Sequence, residues 1–158
     1  MTMHKLVNGV EVECSPEEEA QILAERAAAT PTLASRISAA LVKVDTDVDA
    51  IYAAVIGNRG EEYRLAESDA QAFHAAAHVG TVPASVASWA TAKGWTAAQA
   101  CDDILATAAA WRTAQAGIRA QRLQAKESMR AAASAGELTA TLASWTTFVA
   151  AARAQLGI

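Results

Sequence analysis

Aromatic side chains are scarce: two Phe, two Tyr and four Trp make up 5% of the 158 residues. A core of stacked rings is excluded, and each Trp carries a large share of the apolar area that can be buried. Cysteine is nearly absent. Cys14 and Cys101 show no C-x-x-C spacing, so they read as buried thiols in a reducing compartment rather than as a disulfide. No run approaches twenty uninterrupted apolar residues, and residues 1–5 lack the apolar run of a signal peptide. A soluble cytoplasmic protein with no membrane partner is expected. A basic excess is missing too. Thirteen Lys and Arg stand against seventeen Asp and Glu, a net charge of −4, with a pI near 5.3. Nucleic acid is therefore not expected as a partner, because phosphate binding needs a dominant basic surface.

What the chain does have is alanine. It supplies much of the 53% hydrophobic content, favours helix and offers little area to bury, which points to a thin, close-packed helical core. The length suits one domain. Residues 30–78 keep one apolar phase in steps of three and four: Leu33, Ile37, Leu41, Val44, Val48, Ile51, Val55, then Tyr63, Ala66, Ala70, Phe73 and Ala77. Gly57-Asn58-Arg59-Gly60 interrupts this stretch. Because the phase is unchanged on both sides, and each glycine costs only ~1 kcal/mol, a continuous or kinked helix is predicted there.

Leu6-Val7-Asn8-Gly9-Val10-Glu11-Val12 signals a β-hairpin around a two-residue type I′ turn, with Val10, Val12 and Cys14 on one face and Glu11 and Glu13 on the other. Ser15-Pro16-Glu17-Glu18 opens a helix with a capping box and an acidic first turn, ending near Thr30. Thr30-Pro31 repeats the cap-plus-proline pattern. A short helix over residues 83–93 stops at Gly94; Thr96-Ala97-Ala98-Gln99 caps a helix running to about Ala133. Beyond Ser134-Ala135-Gly136, the spacing of Leu138, Leu142, Trp145, Val149, Ala152 and Leu156 is a helix-packing seam. The fold predicted is mainly α, an elongated antiparallel helical bundle or helical hairpin with a small N-terminal β-hairpin. Residues 1–29 form the hairpin and capped helix, and residues 30–158 the alanine-rich bundle, all in a single domain.

Candidate chemistry is sparse. Asp45-Thr46-Asp47-Val48-Asp49 begins like a calcium loop, but Ala50 and Ile56 stand where glycine and a bidentate glutamate are needed. His74 and His78 are four apart on a predicted helix and could meet one metal, yet no third ligand is evident nearby, so no metal is expected. No G-x-S-x-G elbow or phosphate loop occurs, and neither cysteine has a histidine at a recognisable distance. An enzyme is not expected, and no cofactor. Arg112, Arg119, Arg122, Lys126 and Arg130 form a basic stripe that reads first as a partner for Glu61, Glu62, Glu67 and Asp69 of the long helix, and second as a grip for an acidic partner. Trp111 and Trp145 sit on seams and read as core anchors.

Val7-Asn8-Gly9-Val10-Glu11-Val12 followed by Ser15-Pro16-Glu17-Glu18-Glu19 resembles the opening of small proteins encoded beside tail-fibre genes in tailed bacteriophages and prophages. Trp89-Ala90-Thr91-Ala92-Lys93-Gly94-Trp95-Thr96 and the alanine-rich C-terminal helix are also similar to such phage tail proteins. The resemblance implies a non-enzymatic tail accessory protein that binds the tail fibre or its tip. It would act as an assembly chaperone in the host bacterial cytoplasm or as a small structural subunit of the virion tail. Possible self-association accompanies that reading, because alanine-rich seams gain from contact with a partner or a second copy. Leu6, Val7, Val10 and Val12 of the hairpin, with Arg119, Arg122 and Lys126, are the candidate partner-binding residues. Two alternatives stand behind it: a general helical interaction module unrelated to phage, and a metal-dependent enzyme using His74 and His78.

Overall fold

The structure, a computed structural model, describes residues 3–158. It divides into two compact units, Met1–Ala39 and Ala40–Ile158. In the first, β1 (His4–Val7) pairs antiparallel with β2 (Val10–Glu13), with Leu6 opposite Glu11 and Val7 opposite Val10. Asn8 and Gly9 both take positive φ, 52° and 81°, as a type I′ turn requires. Helix α1 (Pro16–Ala29) carries the expected capping box: Ser15 Oγ accepts from the Glu18 N–H, and Glu18 accepts from the Ser15 N–H. Thr30 is the C-cap of α1 rather than the N-cap of the next helix. That role falls to Thr32, whose hydroxyl accepts from the Ser35 N–H, so α2 (Leu33–Val55) starts slightly later than the Thr30-Pro31 pattern predicts.

The second unit takes α2 from Ala40 onward, then α3 (Gly60–Ala75), α4 (Ala84–Lys93), α5 (Ala97–Ala131) and α6 (Ala135–Leu156). The chain is mainly α, a helical bundle with one small N-terminal hairpin. The continuous or kinked helix predicted over residues 30–78 does not form. Helix α2 stops at Val55 and α3 starts at Gly60. Gly57 adopts φ +54°, a left-handed conformation that ends a helix and that glycine alone enters without steric cost. The apolar phase survives the break for another reason: both halves lie antiparallel along α5. On the first half the Tyr52 ring meets the Trp111 ring edge-on, with centroids 5.6 Å apart. On the second, Arg112 pairs with Glu67 and the Cys101 thiol donates to the Ala70 carbonyl at 3.1 Å.

Helix α5, 35 residues long, is thus shared by two sets of partners. Over its first half, Ala100 and Cys101 join Ala70 and Phe73 of α3 and Val86 and Ala90 of α4 in one buried cluster, with Val82, Ile104 and Leu105 packed against it. Over its second half, α5 runs beside α6 and meets α2 through side chains. Trp145 of α6 is buried, and its Nε1 donates to Asp47 at 2.8 Å, while Lys126 Nζ donates to Asp45 at 2.6 Å. Asp45 and Asp47, two of the carboxylates of the calcium-like run, therefore lie inside helix α2 and bond to different helices, Asp45 to α5 and Asp47 to α6. Both cysteines are buried free thiols.

Ile51 is wholly buried, whereas Leu65 is 61% exposed. Ile51→Ala is expected to lower stability by about 2–5 kcal/mol through the lost burial and the cavity left behind. Leu65→Ala should stay within about 0.5 kcal/mol of the parent. Urea unfolding followed by circular dichroism checks both.

Candidate functional site

Two places concentrate side chains that a helical bundle does not need for its own packing: the hairpin and the corner between α3 and α5. In the hairpin, residues facing each other across the ladder share a face of the sheet. The pairing Lys5 with Val12 and Val7 with Val10 therefore puts Val7, Val10 and Val12 on one face, and Leu6 with Glu11 on the other. The four hairpin residues expected to act together are split three to one. All four are exposed, from 41% at Val12 to 76% at Leu6.

What ties the hairpin to α1 is polar. The Met3 N–H donates to Glu19, and the Lys5 ammonium bonds to Glu18. The hydrogen bond from Lys5, followed by that from the Ser15 N–H, holds the Glu18 carboxyl below its ordinary range. Helix α1 itself buries no residue, and Leu23 on it is 53% exposed. Among the described residues of this unit, Cys14 alone is buried and hydrophobic.

The basic stripe of α5 is largely consumed internally. Arg112 pairs with Glu67 as expected, but Lys126 takes Asp45 and Arg130 takes Glu127 on its own helix. Glu61 is held by Arg64 one turn along α3, a hydrogen bond that lowers the pKa of the carboxyl and raises that of the guanidinium. Asp69 accepts from the Ser85 hydroxyl at 2.6 Å. Arg122 lies with Lys126, Arg130, Asp45 and Asp49 along an open cleft, and its Nε is buried without a hydrogen-bond partner. Arg119 is exposed. Of the three cations singled out for a partner, Lys126 is thus already committed to an aspartate.

The corner holds what sequence reading missed. Helix α3 ends at Ala75, so His78 is not on it. The closing turn has the Schellman hydrogen bonds, Ala77 N–H to His74 O at 2.9 Å and His78 N–H to Phe73 O at 3.0 Å. The residue in the left-handed position is Ala77, φ +52°, followed by His78 at φ +60°. Glycine normally fills the first of these places, as Gly94 does at the end of α4. The double left-handed turn swings the His78 ring back over the helix end. It packs on Phe73 and sits edge-on to His74, with both ring centroids 5.3 Å away.

Asp102, near the start of α5, comes to the same place. Its Oδ1 is 3.6 Å from His78 Nε2, and one donor atom from each of His74, His78 and Asp102 lies within 4.8 Å of the others. The third ligand, absent by sequence spacing, is present in space. It was invisible because the α3–α5 packing, not local sequence, brings residue 102 beside residue 78. Cys101 is not part of this group. Its thiol points into the α3–α4–α5 core, and burial, then the neighbouring Asp102, push its pKa up.

No family model, curated protein or solved structure matches the chain.

Two measurements follow. Ala77→Gly relieves a left-handed alanine and is expected to stabilise the protein by about 0.5–1 kcal/mol in thermal or urea unfolding. Glu18 has its folded-state pKa below the ordinary value of 4.5. Its share in fixing the hairpin to α1 is full above that value and is lost as pH falls through the lower, folded one. Backbone NMR of β1 and α1 should show the hairpin contact intact at pH 6 and loosening as the pH falls below about 4.5, with Glu18→Gln removing the dependence.

Proposed function

We propose that the chain is a non-enzymatic accessory protein of a bacteriophage tail, which binds the tail fibre or its tip through its N-terminal unit. On this reading it acts as an assembly chaperone or as a small subunit kept in the virion. The observation that carries the binding role is the exposure of Val7, Val10 and Val12 on one face of a two-stranded sheet. An isolated hairpin is marginal in water, and contiguous exposed apolar residues mark surfaces that meet a partner. With two strands only, each strand also keeps an unpaired edge. A β-rich fibre can extend that edge by strand addition while the valines fill alternate side-chain pockets. The resemblance of the V-N-G-V hairpin and the acidic capped helix to fibre-associated phage proteins supplies the kind of partner.

Co-expression with a tailed-phage fibre gene tests this. The yield of soluble trimeric fibre should rise when the chain is present. Val7→Asp with Val10→Asp should weaken fibre capture more than about tenfold, the scale of losing a central apolar anchor, with helical content unchanged. Deletion of residues 1–14 should do the same. Fibre yield and capture that ignore both changes would remove the hairpin from the interface. Capture of fibres and unrelated helical proteins alike would favour a general interaction module.

A further inference from the structure

The geometry at the α3–α5 corner points to a three-ligand site for a divalent transition metal, with zinc the best match, formed by His74, His78 and Asp102. Two imidazoles and one carboxylate are borderline-to-hard donors of the kind that zinc takes, and the set lacks the many oxygens that calcium or magnesium needs. In a tetrahedral zinc site with bonds of about 2.0–2.1 Å, neighbouring ligand atoms stand about 3.3 Å apart. His78 Nε2 and Asp102 Oδ1 are 3.6 Å apart. That is too long for a good hydrogen bond and close to the spacing of two ligands on one ion. The remaining donor, on His74, lies within 4.8 Å of both. His74 and Asp102 are exposed, so their side chains can turn to close the difference.

A second observation points the same way. His78 Nε2 is buried and has no hydrogen-bond partner. A buried ring nitrogen without a hydrogen bond is costly, and a metal ion satisfies it while using the neutral imidazole as a ligand. The unusual backbone serves the same end, since the left-handed conformations of Ala77 and His78 are what turn this ring toward Asp102. Cys101 is excluded from the set because its thiol donates to Ala70 O on the core side. Three protein ligands leave a fourth position for water, as in open zinc sites. When bound, the ion ties the end of α3 and the turn after it to the first turns of α5.

The full-length protein, stripped of metal by chelator and dialysis, should take up one equivalent of Zn²⁺ by calorimetry, and its melting temperature should rise with zinc. The ¹⁵N resonance of His78 Nε2 should shift on addition of zinc alone. His78→Gln and Asp102→Asn should each weaken zinc binding by more than the ~10-fold that even outer-shell changes cost. His4→Gln, which alters the remaining histidine, should bind as the parent does. Asp102 is exposed, so Asp102→Asn keeps the test valid should His78→Gln fold poorly; unchanged helicity confirms folding. Absence of stoichiometric uptake, an unmoved His78 resonance, equal binding by Asp102→Asn, or loss in His4→Gln would each overturn the assignment. None of these readouts involves the fibre.

Discussion

The registry between α3 and α5 rests on small side chains. Ala70, Ala100 and Cys101 are all completely buried, and the Cys101 thiol reaches across to the Ala70 carbonyl. Where residues this small meet, two helices approach closely, and little slack remains for one to slide on the other. That fixed approach sets the rest of the α3–α4–α5 cluster. Phe73 and Val86 fill the space around it, and the next residue of α5, Asp102, is delivered to the end of α3. The other half of α5 uses larger residues for the same purpose, with Ile118 and Met129 buried on it, Val44, Val48 and Ile51 on α2, and Leu138 and Trp145 on α6. Polar bonds there are tied to packing: the Trp145 indole and the Lys126 ammonium both end on aspartates of α2.

From this registry comes the chemistry of the corner. Asp102 and His78 are 3.6 Å apart because Cys101 is locked to Ala70 and because Ala77 accepts a conformation that alanine disfavours. Neither condition is expressed in the spacing of the histidines. Strain of this kind, of order 1–3 kcal/mol per residue, persists only where the surrounding structure over-determines it. Here the Schellman hydrogen bonds and the packing of His78 on Phe73 do so.

Much of the fold was legible because its signals are local. The Asn8-Gly9 turn, the capping boxes at Ser15 and Thr96, the stop at Gly94 and the apolar steps of α6 each depend on neighbours within about one helical turn. Each departure from the sequence reading has its own physical cause. Preservation of phase across Gly57 predicts a continuous backbone, whereas a shared partner, α5, imposes the same phase on two separate helices. The end of α3 was missed because alanine occupies the place where glycine would have announced it. The third member of the histidine corner was missed because only tertiary packing joins residues 78 and 102. In the basic stripe, Arg112 found the acid expected of it, Glu67, while Lys126 and Arg130 found others, since helix-face charge pairing is set by which side chains happen to face each other.

The N-terminal unit obeys a different balance. Its helix buries nothing, its strands are largely exposed, and Lys5, Glu18 and Glu19 hold the hairpin by a few half-buried polar bonds worth little in water. A unit so assembled is the part of the chain with most to gain from a partner. Native-state hydrogen exchange on the dilute protein tests this division most directly. Amides around Cys101, Ile118 and Met129 should exchange only through global unfolding, and those of β1 and β2 through local opening with far lower protection. Hairpin amides as strongly protected as those of α5 would contradict it.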